Sequence, residues 1–354
     1  MTSAAHPDRL RVVMTTPLNK ELCERIVALE PRIDLVWEPS LMPTMRFPTD
    51  YRGDPDFSRT LQQQERYEAM VDSADALYGL PDLNPAALQR TIEANPRLRW
   101  VHTMAAGGGG QVKAAGLGAA DLQRVAFTTS AGVHGRPLAE FALFGLLAGA
   151  KMLPRLLIQQ RDHEWPPRRE MRHLGEQTIL VLGTGGIGRQ VIRLLGAFGC
   201  TVLATSRREV TVEGVDEVVH PDNLSDVLAR VDGLVVTLPG TDATTGLVGE
   251  AVFSAIKPGA TLVNVGRGAV VDEPALITAL TSGQIGYAAL DVFAHEPLHP
   301  ASQLWDMPNV LISPHTAALT AAEPWLIAGL FAKNAGNLLD GRPLLNIVNT
   351  VEFY

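Results

Sequence analysis

Short apolar runs alternate along this chain with stretches in which apolar residues return every three or four positions. Residues 11–15, 76–79, 100–104 and 126–129 read as strands of a first unit, and 178–182, 201–204, 233–238, 260–265, 287–292 and 310–312 as strands of a second. Strand and helix alternating in this way predict parallel sheets covered by helices on both faces, an α/β fold. Residues 38–64 break the rhythm with Pro, Arg, Asp and Tyr. They read as a long surface excursion, either beside an active-site mouth or as a plain loop. Two long helical patterns, 137–157 and 317–339, frame the second unit. The chain after the later one has no strand partner of its own, so it is expected to return to the first unit and make that domain discontinuous.

Length and composition change this picture little. A chain of 354 residues suits two domains, and 46% hydrophobic with 19% charged residues is globular composition. A formal net charge of −8 argues against nucleic acid as a partner, because phosphate binding needs a dominant basic face. The two cysteines, Cys23 and Cys200, lie far apart without metal-ligand spacing and read as reduced thiols of a cytoplasmic protein; no metal is expected. Residues 1–10 are polar and lack the apolar core of a signal peptide. The longest apolar stretch, 138–150, is too short to span a bilayer and contains Glu140, so a buried helix and no membrane association are expected.

The strongest local motif is Val181-Leu182-Gly183-Thr184-Gly185-Gly186-Ile187-Gly188. An apolar strand precedes it, and Ile187, Val191, Leu194, Leu195 and Phe198 give the following helix an apolar face. Gly183 permits a tight turn, Gly185 lets a pyrophosphate approach the backbone, and Gly188 lets helix and strand pack closely, with the helix N-terminus facing the phosphates. Dinucleotide binding follows. An acidic residue usually ends the next strand and holds the adenosine ribose hydroxyls. Here that place falls on Ser206, followed by Arg207 and Arg208. A hydroxyl with two guanidiniums suits a 2′-phosphate, so NADP(H) is expected in preference to NAD(H).

Three further strand ends carry candidate chemistry: Gly266-Arg267-Gly268 after 260–265, Asp291 at the end of 287–292 with Glu296 beyond it, and Ser313-Pro314-His315 after 310–312. Ligands of open parallel sheets bind beyond the carboxyl ends of the strands, so these residues can share one crevice with the glycine turn. The types fit reduction of a keto acid. A histidinium can protonate the developing alkoxide, Glu296 can favour its charged form and fix the ring, and Arg267 offers paired donors to a carboxylate.

These residues resemble the D-isomer-specific 2-hydroxy-acid dehydrogenases over 174–318, through Gly183–Gly188, Leu238-Pro239, Lys257-Pro258-Gly259-Ala260, Asn264-Val265-Gly266-Arg267-Gly268, Ala289-Leu290-Asp291-Val292-Phe293, Glu296-Pro297-Leu298 and Ser313-Pro314-His315-Thr316. The resemblance implies that Arg267, Glu296 and His315 are catalytic and that Asp291 holds the nicotinamide carboxamide. It places Gly183, Gly185, Gly186, Ile187, Gly188, Ser206, Arg207, Arg208, Leu238, Pro239 and Val265 along the cofactor. It further implies a Rossmann cofactor domain, 134–317, inserted into a flavodoxin-like, discontinuous substrate-binding domain, 1–133 and 318–354, and a homodimer. The segment from Trp100 to Gly108 is similar to the family's carboxylate-receiving loop, with Ala106 and Gly107 nearest the contact. Four consecutive glycines there, and the 38–64 excursion, depart from the family pattern. The basic turn looks like that of the NADPH-using glyoxylate and hydroxypyruvate reductases. A 2-keto acid reductase is therefore the first expectation. A dinucleotide-sensing binding protein on the same scaffold, as in the C-terminal-binding-protein corepressors, is the second.

Overall fold

The computed structural model describes residues 9–207 and 211–353. Its contacts divide the chain into two units, Met1–His134 with Leu319–Tyr354, and Gly135–Ala318.

In the first unit the order is β1 (Leu10–Met14), α1 (Lys20–Leu29), β2 (Ile33–Val36), α2 (Leu61–Val71), β3 (Ala76–Tyr78), α3 (Pro85–Ala94), β4 (Trp100–Thr103), α4 (Gly109–Ala114), α5 (Ala119–Arg124) and β5 (Ala126–Thr129). All five strands are parallel, in the order β2-β1-β3-β4-β5, the flavodoxin-like arrangement. Side chains alternate across this sheet as the pleat requires. Leu10, Val12 and Met14 of β1 enter one apolar cluster, and Val13 enters the other.

The second unit begins with α6 (Gly135–Ala150) and α7 (Leu153–Arg161). It continues through β6 (Thr178–Leu182), α8 (Gly186–Phe198), β7 (Thr201–Thr205), β8 (Glu217–Val219), α9 (Ser225–Leu228), β9 (Gly233–Val236), α10 (Glu250–Ala255), β10 (Ala260–Asn264), α11 (Glu273–Ser282), β11 (Ile285–Leu290) and β12 (Val310–Ile312). Its seven parallel strands run β12-β11-β10-β9-β6-β7-β8, a Rossmann order whose direction reverses between β6 and β9. The α12 helix (Glu323–Leu339) belongs to the first unit.

Several sequence expectations need correction. Residues 137–157 are two helices, because Met152 adopts a positive φ of 54° and Pro154 in an unbroken helix would clash with the carbonyl four residues back. Helix α12 begins at Glu323 rather than 317, with Pro324 fixing its first turn. Residues 61–64 open α2, where Thr60 and Gln63 form a reciprocal capping box, so the excursion ends at 60. Strands β2 and β8 were not foreseen. The chain after α12 forms no strand of its own and lies with the first unit, where Val348 N–H donates to the Phe127 carbonyl (2.8 Å) and Thr129 N–H to that of Asn346 (3.0 Å).

The apolar run 138–150 lies within α6, whose Leu138, Ala139, Ala142, Leu146 and Ala150 are buried. Among the described residues no single helix is long and apolar enough to cross a membrane; the pair α6 and α7, bent by 65°, reaches that length and composition together. The excursion is an ordered loop. Asp50 accepts from the Arg46 guanidinium (2.6 and 3.1 Å) and from Gly53 N–H (3.1 Å), while Arg59 donates to the Leu41 carbonyl (2.7 Å) and to Asp82 (2.9 Å). With the segments after β1 and β3 it encloses a cavity of about 400 Å³.

Candidate active site

The glycine turn sits between β6 and α8. Gly183 has a φ of 103°, open to glycine and strained for other residues. A Cβ on Gly188 would lie 1.9 Å from the Gly183 carbonyl oxygen, so glycine there is a packing requirement. Gly185 differs: its φ of −74° is ordinary and, among the described residues, a Cβ would meet no atom within 4 Å. The chain itself does not require glycine at 185, whereas an approaching pyrophosphate does. Among the described residues no side chain caps the N-terminus of α8, whose first amides, those of Gly186, Ile187 and Gly188, have no intrahelical acceptors. The residues present fit a dinucleotide.

Two threonines pin this turn from neighbouring strands. Gly183 N–H donates to Thr205 Oγ1 (3.1 Å), and the Thr237 hydroxyl faces the carbonyls of Leu182 (2.9 Å) and Gly183 (3.1 Å). Sequence reasoning missed both; a hydroxyl ending each flanking strand was the available signal. The helix face also differs in detail. Ile192 is buried beside Val191 and Leu195, whereas Phe198 is exposed.

Ser206 follows β7 directly, and its N–H donates to the Val219 carbonyl of β8 (3.1 Å). Arg207 is exposed beside it. Arg208 lies outside the described residues. Past β9, Leu238 is half-buried and Pro239 exposed, and a Cβ on Gly266 would lie 2.6 Å from the Leu238 carbonyl. Val265 is buried next to that contact.

At the end of β10, Asn264 braces the arginine turn. Its Oδ1 accepts from Gly266 N–H (3.0 Å) and its Nδ2 donates to the Arg267 carbonyl (3.1 Å). The next glycine, Gly268, locks this turn onto the 291–296 segment, since a Cβ there would fall 1.8 Å from the Phe293 carbonyl carbon. Arg267 Nη1 donates to the Gly266 carbonyl (2.7 Å), and among the described residues no carboxylate pairs with this guanidinium. Burial pulls its pKa below the ordinary arginine value, with the Glu296 charge acting in the opposite direction. A desolvated cation with donors to spare suits an anionic ligand.

Strand β11 ends at Leu290, so Asp291 is the first residue beyond it and is buried. Its Oδ1 accepts from the Ser313 hydroxyl (2.6 Å), Thr316 N–H (2.9 Å) and Ala317 N–H (3.0 Å), and Oδ2 takes none of these bonds. Those contacts shape the loop that presents His315. The histidine backbone is held at a φ of 56° by its N–H donating to the Asp291 carbonyl (2.9 Å). Its Nδ1 lies 2.7 Å from Glu296 Oε2, while Glu296 Oε1 accepts from Phe293 N–H (3.1 Å). An ionised carboxylate only accepts, so Nδ1 carries a proton and Nε2 is left to exchange one. His315 and Glu296 are thus in direct contact, with Arg267 within electrostatic reach of Glu296, all beyond the carboxyl ends of one sheet.

In the first unit, Ala106 is half-buried and Gly107 exposed in the turn between β4 and α4. A Cβ on Gly108 would lie 1.8 Å from Thr103 Oγ1, which accounts for one of the four glycines.

Residues 143–317 match the family described as D-isomer specific 2-hydroxyacid dehydrogenase, NAD binding domain. A glyoxylate reductase of Aeropyrum pernix is 35% identical over 301 residues, covering 81% of this chain and 87% of its own. Among solved structures, a D-isomer specific 2-hydroxyacid dehydrogenase from Xanthobacter autotrophicus Py2, in complex with NADPH and MES, aligns with a TM-score of 0.78 at 28% identity, covering 98% of this chain and 100% of its own. An NADPH-dependent glyoxylate/hydroxypyruvate reductase from Sinorhizobium meliloti, in complex with NADP and sulfate, aligns with a TM-score of 0.76 at 25% identity over 98% and 100%.

Proposed function

The chain belongs to the D-isomer-specific 2-hydroxyacid dehydrogenase family, and we propose that it is an NADP(H)-dependent reductase of a small 2-keto acid of the glyoxylate or hydroxypyruvate kind. The observation that carries this reading is the 2.7 Å contact of His315 with Glu296, on the sheet whose glycine turn has an uncapped helix N-terminus. A bound reduced nicotinamide supplies the hydride. His315 Nε2 gives the proton that the new alkoxide needs, and Glu296 holds the ring in place through Nδ1. Arg267 takes the carboxylate and polarises the carbonyl. Asp291 Oδ2 is the acceptor for the carboxamide, and the amides of Ala106 and Gly107 receive the substrate carboxylate. These roles make 134–317 the cofactor domain and 1–133 with 318–354 the substrate domain.

Preference for NADPH rests on Ser206 standing where a carboxylate would repel a 2′-phosphate, and on Arg207 exposed beside it, with Arg208 next in sequence. The relatives crystallised with NADPH or NADP agree with it. We also propose a cytoplasmic homodimer. Phe144, Leu157, Ile158 and Trp165 are exposed in the α6–α7 segment and just after it, and such a surface suits a second copy. Light scattering at micromolar concentration should give twice 38.1 kDa, and the monomer mass would remove the dimer.

Function is tested by following oxidation of NADPH and NADH with glyoxylate, hydroxypyruvate, pyruvate and bulkier 2-keto acids. Turnover of a small 2-keto acid with NADPH supports the proposal. Tight cofactor binding without turnover of any acid would overturn it.

A further inference from the structure

His102 is fully buried, and the chemistry assigned above makes no use of it. Trp100, Tyr78 and Phe331 surround its ring at centroid distances of 6.1, 6.3 and 5.7 Å. An apolar side chain would fill that space at lower desolvation cost, so the two ring nitrogens call for an explanation. Nδ1 lies 2.8 Å from Thr128 Oγ1, and Nε2 lies 3.1 Å from Ser130 Oγ.

One direction of this chain satisfies every donor and acceptor in it. Trp100 Nε1–H can only donate, and it does so to Thr128 Oγ1 (2.8 Å). The Thr103 carbonyl can only accept, and in this direction the Ser130 hydroxyl donates to it (3.1 Å). With that proton committed, the contact to His102 is a bond only if Nε2–H donates to Ser130 Oγ. A neutral imidazole has one N–H, so Nδ1 accepts from the Thr128 hydroxyl. Burial pushes the His102 pKa down to about 3, which keeps the ring neutral as this arrangement requires.

The chain ends at the glycine loop. Ser130 holds the Thr103 carbonyl through its hydroxyl and the Ala105 carbonyl through its N–H (3.4 Å). Thr103 Oγ1 (3.3 Å) and Gly108 N–H (3.3 Å) converge on that same Ala105 oxygen. A trans peptide points its N–H opposite to its C=O, so clamping the Ala105 carbonyl inward turns the Ala106 N–H outward.

We propose that His102 is a positioning residue: through Ser130 it aims the Ala106 N–H, and with it the Gly107 turn, at the carboxylate of the substrate. The proposal rests on the reading that these two amides receive the carboxylate. It assigns His102 no contact with substrate and no proton transfer.

The two ring bonds can be separated. A glutamine amide reaches the depth of Nε2 and can keep the donor to Ser130. An asparagine amide reaches only the depth of Nδ1 and keeps the Thr128 contact instead. H102Q should therefore leave the KM for the 2-keto acid within about twofold of wild type. H102N should raise it about tenfold, with kcat and cofactor KM little changed, the scale of one lost buried hydrogen bond. Ser130→Ala should reproduce the effect, and the H102N/S130A pair should be no worse than either alone. Should H102N fail to fold, S130A and the wild-type ring still decide the matter, because nitrogen-15 NMR of the holoprotein should show a neutral, Nε2-protonated His102. Equal KM values for H102N and H102Q, an unchanged KM in S130A, or an Nδ1-protonated ring would overturn the proposal. Titrating the labelled holoprotein with oxamate tests the underlying reading separately. If the Ala106 and Gly107 amide signals do not move, that reading falls; if they move while H102N keeps its KM, the relay alone falls.

Discussion

Two glycine-rich turns each leave a buried parallel strand and open a helix, yet glycine serves different ends in them. In the second unit, Gly183 supplies a positive φ, Gly188 closes helix onto strand, and Gly185 leaves open space that the protein does not fill. In the first unit none of Gly107, Gly108, Gly109 and Gly110 has a positive φ; Gly108 is pressed against the Thr103 side chain, and Gly110 faces nothing within 4 Å. At 183–188 two glycines answer to backbone conformation and packing, and Gly185 leaves room for the proposed ligand. At 107–110 it is the strand beneath that constrains Gly108, and any recognition there would fall to backbone amides, as proposed above. Charge divides the same way. The second unit gathers Arg267, Glu296, Asp291 and His315 beyond its strand ends, whereas under the first unit's glycine loop the buried titratable group is a neutral histidine.

The largest effect that would break this contrast is on turnover. His315→Ala should lower kcat by about 10²–10⁴ while leaving NADPH affinity nearly intact, as steady-state kinetics with fluorescence titration would show; near-normal kcat would remove this histidine from the chemistry. Next come the glycines themselves. Gly188→Ala forces a Cβ against backbone and should cost about 1–3 kcal/mol of stability together with cofactor binding. Gly185→Ala should keep the melting temperature and lose cofactor affinity alone, which separates a ligand-shaped glycine from a packing one. Gly110→Ala, inside α4, should stabilise by up to about 1 kcal/mol without touching kinetics.

A smaller effect concerns cofactor choice. NADPH should exceed NADH in kcat/KM by at least about tenfold, and Arg207→Ala should erase most of that margin; equal use of both cofactors by the unaltered protein would return this arginine to a solvated surface role. A pH effect in the first unit touches stability rather than turnover. The folded His102 pKa of about 3 lies below the unfolded value of 6.5, so the unfolded chain binds more protons between them and stability falls as pH drops through that window. Wild type should lose more stability than H102Q on acidification from about pH 6.5 to 4, as denaturant titrations at each pH would show. Parallel losses in both proteins would mean that His102 is protonated in the fold.

The positions at strand ends were legible because a strand's carboxyl end is marked in sequence by where an apolar run stops. That rule located the glycine turn, Ser206, Arg267, Asp291 and His315, the aspartate one residue past its strand rather than within it. The braces were not legible. Thr205, Thr237, Asn264 and Ser313 act through single hydroxyls or amides whose partners are 2 to 55 residues distant, and such residues occur everywhere in a chain. Strands β2 and β8 escaped notice for a different reason. They are edge strands of four and three residues, half-exposed, and carry Asp34 and Glu217 within short apolar runs. The break at Met152 was signalled by Pro154 two residues later, and the apolar periodicity across it masked the signal.

If the proposal holds, this chain delivers hydride from a nicotinamide to the C2 carbonyl of a small keto acid and fixes the D configuration there. Reaction of the labelled cofactor, deuterated at the transferable position of NADPH, with glyoxylate's larger relative hydroxypyruvate tests it most directly. The expected product is a D-2-hydroxy acid carrying deuterium at C2, formed at a rate that His315→Ala suppresses. An L product, or a product without deuterium, would contradict it.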